Sequence, residues 1–195
     1  KIEILPLKCF TTSKQIPALL GFPGPGEIHI LSGFISSISL MEMVKYMKDE
    51  IVFSDERYEK DNRALFEAMI KGKRFQNMEC NFFTDIIDEV VETQFSAITC
   101  FPEDTLPVII FRGTDENIIG WKEDFNMAFR KPVTGQRLAA LYINQAGLRI
   151  TDHFIVCGHS KGGNFAVYAS MNAIDTIQER ISKIYSFDGP GFRPE

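Results

Sequence analysis

An α/β fold is predicted for this chain by three observations. Apolar runs of strand length alternate with stretches of helical period through its second half. Two of those runs break abruptly into glycine-bearing corners, at 111–115 and 158–163. At 195 residues with 45% hydrophobic content, the chain can also bury one sizeable core. A single domain over 1–195 is therefore expected, with a loop-rich and helical N-terminal section (1–80) and a sheet core (81–195) that carries both corners.

Residues 1–36 mix short apolar runs with Pro17, Pro23 and Pro25 and with Gly21, Gly24 and Gly26, a loop-rich lead-in with one strand at Glu27–Leu31. Those glycines match no phosphate-binding spacing, which argues against a nucleotide site. Ser39 followed by Glu42 is a capping-box pattern and opens a helix through Lys48. Asp61–Lys71 reads as a second helix with Leu65, Phe66 and Met69 on one face, and Asp85–Thr93 as a third, with Ile86, Ile87, Val90 and Val91 at helical spacing. Phe95–Phe101 and Leu106–Phe111 are consecutive strands parted by Pro102, Glu103 and Asp104, which predicts a hairpin. Gly135–Gln145 is helical with Leu138, Leu141 and Tyr142. Then follow a strand at Asp152–Cys157, a helix at Asn164–Asn172, a helix at Asp175–Arg180 and a last strand at Lys183–Asp188. The apolar stripes are core, and so is the single tryptophan, Trp121.

The second corner, Gly158-His159-Ser160-Lys161-Gly162-Gly163, places a serine between a strand and a helix. A serine hydroxyl is a weak nucleophile, so acyl chemistry needs a turn that presents it to a base and sets a backbone N–H beside it for the developing oxyanion. Glycines flanking Ser160 let strand and helix approach, which is the signature of a nucleophile elbow. An ordinary glycine-rich turn is the plainer alternative. The first corner, Phe111-Arg112-Gly113-Thr114-Asp115, supplies what the elbow lacks, since the second oxyanion donor comes from a loop after an earlier strand. Thr114 fits that position with its N–H, and its hydroxyl is a possible side-chain donor; Lys161, after the nucleophile, supplies the other N–H. The alternative here is a simple strand end with Arg112 paired to Asp115 or Asp124.

Together FRGTD at 111–115, the step from Trp121 to Asp124 and GHSKGG resemble the core of the class 3 lipases, a branch of the α/β-hydrolases. QFSAIT at 94–99, GWKEDFNMAF at 120–129, GHSKGGN at 158–164 and YSFDGPGF at 185–192 are similar to a bacterial family of uncharacterised, lipase-like α/β-hydrolases. The resemblance covers Phe75–Phe192. It implies a three-layer α/β-hydrolase-like sandwich with a mostly parallel central sheet, and the catalytic apparatus of a lipase or esterase, without naming a substrate. It also puts Glu116–Asp124 where class 3 lipases carry a lid, with Ile118, Ile119 and Trp121 as its apolar cover.

One departure concerns the base. Hydrolases of this fold run serine, acid, histidine along the chain, yet the three histidines, His29, His153 and His159, all precede Ser160. None is well placed, so the acid and histidine are expected on strands beyond Glu195, which makes the sheet incomplete at its C-terminus. Asp188, at the end of the last strand, is a candidate triad acid or an aspartate that caps its own Gly-Pro turn. The lysine at 161, where ordinary lipases have an apolar residue, suggests an anionic or polar acyl substrate if its ammonium lies beside the oxyanion; pairing with an acid such as Asp124 is the alternative.

Net charge −5 and a pI near 5.3 disfavour nucleic acid, and Lys71, Lys73 and Arg74 read as a solvated helix end. Cys9, Cys80, Cys100 and Cys157 show no metal or redox spacing. With no spanning run and no signal-peptide pattern, a reduced, cytoplasmic setting is expected. No metal or organic cofactor is called for. The function expected is a serine hydrolase acting on a small-molecule or lipid acyl ester, and the alternative is an inactive hydrolase-fold binding module.

Overall fold

The computed structural model describes residues 37–44, 59–115 and 117–192. Six strands form one sheet in simple sequence order: β1 (Ile38–Ser39), β2 (Glu79–Asp88), β3 (Thr93–Phe101), β4 (Val108–Phe111), β5 (Phe154–His159) and β6 (Ile181–Phe187). Helices α1 (Leu40–Val44) and α2 (Glu59–Lys71) fall between β1 and β2, α3 (Ile118–Met127) and α4 (Thr134–Gly147) between β4 and β5, and α5 (Lys161–Met171) and α6 (Asp175–Gln178) between β5 and β6. The strand read at Glu27–Leu31, Cys9 and His29 lie outside the described residues, as does the end of the helix predicted through Lys48.

The α/β class holds, but the sheet is mixed and mostly antiparallel. β1 through β4 pair antiparallel, and only β4–β5 and β5–β6 are parallel. Connection length decides this. The links between β2 and β3 and between β3 and β4 are too short for a crossover, which a parallel pair requires. The predicted hairpin is the β3–β4 pair, in register from Ala97↔Phe111 to Cys100↔Val108.

A second difference is the helix read at Asp85–Thr93. Ile86 and Ile87 belong to β2 instead, facing Phe95 and Gln94 of β3, and Val90 and Val91 sit exposed on the turn. β-branched residues suit a pleated strand as well as a helical stripe, and the β3 partner decides between them. β2 also carries an irregularity between Asn81 and Thr84, where Phe82 has φ 54°. The capping box is as predicted: Glu42 Oε2 accepts the Ser39 N–H at 3.1 Å while Ser39 Oγ accepts the Glu42 N–H at 3.2 Å.

Strand alternation sends the central side chains into two cores. On one face Phe95, Ala97, Ile109, Phe111, Phe154 and Val156 pack under α4 and α5 against Tyr142, Ile143 and Phe165. Phe95 anchors that layer, its ring 6.0, 6.3 and 6.1 Å from those of Phe111, Tyr142 and Phe165. The Tyr142 hydroxyl is satisfied by Thr99 Oγ1 at 3.0 Å, as burial demands; burial also drives its phenol far above the usual range. On the other face Ile98, Cys100, Ile110 and Cys157 meet Leu40, Met43, Phe66 and Phe83. Cys80, Cys100 and Cys157 are free and buried, and burial pushes the Cys157 thiol to about 12. No helix among the described residues is long and apolar enough to cross a membrane.

Candidate functional site

The parallel strands β4, β5 and β6 end side by side, and their carboxyl ends carry every sequence-predicted site residue. That is where open α/β sheets gather their chemistry. β5 leads straight into Ser160, which adopts φ 54° and ψ −128°, and α5 begins at the next residue. Such a backbone is strained for a residue with a side chain and persists only where its surroundings enforce it. Enforcement is visible on both sides. The Ser160 N–H donates to Phe187 O of β6 at 2.8 Å, and Ser160 O accepts from Gly163 N at 2.8 Å.

The glycines explain the tightness of the corner. A Cβ on Gly158 would stand 2.1 Å from Gly162 O, and one on Gly162 would stand 2.2 Å from Phe111 O, so neither position admits a side chain. The corner thereby presses α5 against both β5 and β4. A Cβ on Gly113 would in turn lie 2.7 Å from His159 O and 3.3 Å from Ser160 Cβ, which brings the loop holding Thr114 beside Ser160.

Both expected oxyanion donors are free. The backbone N–H groups of Thr114 and Lys161 donate to no acceptor among the described residues, and the Ser160 hydroxyl has no hydrogen-bond partner there either. The Thr114 hydroxyl, in contrast, is engaged: it donates to Asp124 Oδ2 at 2.6 Å. Burial raises the Asp124 carboxyl, while the Thr114 hydrogen bond and the nearby Lys161 ammonium pull it down.

The Lys161 side chain turns away from the site. It is fully buried and pairs at 3.0 Å with Glu123 Oε2, not with Asp124, and Glu123 is itself only 1% exposed. Sequence reasoning missed Glu123. Four donors converge on its carboxylate: Thr93 Oγ1 at 2.5 Å, Gln94 N at 3.0 Å, Gly135 N at 2.8 Å and Lys161 Nζ. The available signal was helical register, because Ile119, Gly120 and Glu123 share the buried face of α3. That register leaves Ile118, Trp121 and Phe125 exposed, and Trp121, expected in the core, is 56% exposed. Of the apolar trio expected to form a cover, only Ile119 is buried.

Arg112 takes one of its expected partners and adds another. Buried, it bonds Asp85 Oδ1 at 3.2 Å and Asp115 Oδ2 at 3.4 Å. Burial raises the Asp85 carboxyl against the pull of Arg112. Asn164, a further residue not singled out from sequence, ties the Gly189-Pro190 turn to the elbow helix: its Nδ2 donates to Pro190 O at 2.9 Å and its Oδ1 accepts from Gln136 at 2.8 Å.

Asp188 stands exposed just past β6, at φ 50°, and accepts no hydrogen bond from its own turn. His153 directly precedes β5, roughly 20 Å of strand from Ser160, and pairs with Asp152 at 3.4 Å. His159 alternates to the Cys157 face, away from α5. No described histidine therefore bonds Ser160 or Asp188. Among the described residues no group of three or more His, Cys, Asp or Glu is arranged to hold a metal ion.

No curated protein sequence and no solved structure matches the chain. One family does, over residues 69–195, a span that contains the Thr114 loop, α3, the elbow and the Asp188 turn. By that match over roughly two thirds of its length, the chain belongs to the Mbeg1-like family.

Proposed function

We propose that the protein is a serine hydrolase of lipase or esterase type. Ser160 Oγ attacks the carbonyl carbon of an acyl ester, its proton passes to a general base, and the tetrahedral oxyanion is held by the N–H groups of Thr114 and Lys161. Collapse of that intermediate expels the alcohol and leaves an acyl-serine for water to cleave. The observation carrying this reading is the strained Ser160 corner, whose hydroxyl, with the N–H groups of Thr114 and Lys161 beside it, is unengaged among the described residues. Ile118, Trp121 and Phe125, exposed on the helix that abuts Thr114, offer apolar surface to the acyl part of a small-molecule or lipid ester. The Lys161 ammonium does not select an anionic substrate in this reading, because Glu123 neutralises it below the elbow.

A second reading, a non-catalytic binding module on the same scaffold, is favoured by one observation: neither described histidine is a base for Ser160. A fluorophosphonate probe separates the two. Covalent labelling of the complete protein that disappears in Ser160→Ala supports the hydrolase. Folded protein that takes no label across pH 6 to 9, with and without detergent, leaves the module.

A further inference from the structure

We infer that Glu123 is a positioning residue: through the buried Lys161 side chain it fixes the elbow half of the oxyanion hole relative to the Thr114 half. The inference rests on the serine-hydrolase reading. Lys161 is the first residue of α5, so its ammonium lies both out of water and at the positive end of a helix. Either placement is unfavourable alone. An apolar residue would fill the space without either cost, so packing does not account for a lysine here.

The partner's connections do account for it. Glu123 gathers Thr93 and Gln94 from the start of β3, Gly135 from the start of α4 and the Lys161 ammonium from α5. The far end of the Lys161 side chain is thus anchored to three elements, and the Phe165 ring lies 5.8 Å from its nitrogen. Its near end is the residue directly after Ser160, whose backbone N–H is the elbow donor of the proposed hole. The next residue on α3, Asp124, grips the other half of the hole through the Thr114 hydroxyl at 2.6 Å. Two neighbouring carboxylates on one helix therefore hold the two donors, one by a side-chain tether from below and one from beside the loop. Oxyanion stabilisation depends on donors fixed in advance, so a loosened tether lowers the rate of the chemical step more than substrate binding.

The test compares the full-length protein with Glu123→Gln, Lys161→Met and the double variant, reading the urea midpoint, the rate of fluorophosphonate labelling and the kcat and KM for p-nitrophenyl butyrate. Each single change strands a buried charge or its partner, whereas the double change restores neutrality. A positioning role predicts a double variant with a midpoint close to wild type, a labelling rate and kcat lower by about a hundredfold, and KM within about twofold. A folded double variant with wild-type kcat and labelling overturns the inference, since the pair would then serve folding alone. Thr93→Val loosens Glu123 while leaving the ion pair intact, and it decides the matter if the double variant does not fold. Labelling slowed on the order of tenfold at unchanged KM supports the inference, and an unchanged rate overturns it. Folded wild-type protein that takes no label removes the hydrolase reading and the inference with it, an outcome distinct from a reactive wild type matched by its variants.

Discussion

Two buried charges flank Thr114, and they are satisfied to different degrees. On the α3 side, Glu123 meets four donors with two oxygens, and the Lys161 ammonium balances its charge. On the β4 side, Arg112 reaches Asp85 and Asp115, but its Nε finds no partner among the described residues. The first cluster is closed: losing the Glu123 side chain by itself strands the Lys161 ammonium and three further donors together. The second has slack, because burial already raises the Asp85 carboxyl and a proton can take the place of the missing cation. Rigidity is thus concentrated on the side of the loop where the elbow's N–H is set.

The sharpest way to break this contrast is Glu123→Ala. It removes the acceptor for a buried ammonium and three further donors, so the expected loss is about 3–5 kcal/mol, read from urea denaturation. A loss below about 1 kcal/mol would mean that water or a neighbour replaces the carboxylate and that the cluster is not closed. Arg112→Met should cost less, about 1–3 kcal/mol at neutral pH, and its deficit should depend on pH. The folded pKa of Asp85 is raised above 3.8, and losing Arg112 raises it further. Such a group stabilises fully below its unfolded pKa and loses that contribution as pH rises through the folded value. The deficit of the variant should therefore shrink as the pH falls toward 4. A deficit that does not vary with pH would show Arg112 to be as tightly bound into its surroundings as Glu123.

How far the sequence reveals these two sides also differs. The Ser160 corner was legible as a piece of backbone because its requirements are local: a glycine on each side of Ser160, a strand before it and a helix after it fix the turn within a few residues. The Thr114 loop and the β3–β4 hairpin were legible for the same reason. What escaped depends on distant partners. β2 reads as a helix until β3 is placed beside it, since Ile86, Ile87, Val90 and Val91 satisfy either period. The partner of Lys161 was sought one residue too far, at Asp124, because a one-residue step on a helix turns a side chain by about 100° and only packing shows which face is inward. The same rotation brought Trp121 to the surface, against the ordinary expectation for a lone tryptophan.

Thr114→Val sharpens the comparison within the site itself. An ionised Asp124 can only accept, so the Thr114 proton points at it and not toward substrate. Removing the hydroxyl should cost about 1 kcal/mol of stability. It should also slow labelling of Ser160 by less than the roughly hundredfold expected when a true oxyanion donor is lost, because the N–H remains. A hundredfold loss would show that the hydroxyl itself faces the reaction.

Asp124→Asn should have the smallest effect, and its sign is informative. Burial raises the folded pKa of Asp124 above 3.8, with Thr114 and Lys161 pulling the other way. A raised carboxyl contributes stability below its unfolded pKa and loses it as pH climbs through the folded value, because the fold must then hold an incompletely compensated charge. Asparagine never ionises, and its oxygen can still accept from Thr114. The variant should therefore match wild type near pH 4 and become the more stable protein as pH rises toward neutrality, measured as the difference in urea midpoints. The opposite trend, with wild type gaining on the variant at higher pH, would mean that Lys161 divides its charge between both carboxylates. In that case Glu123 would not hold the ammonium alone, and the closed cluster would extend across α3 to the Thr114 loop.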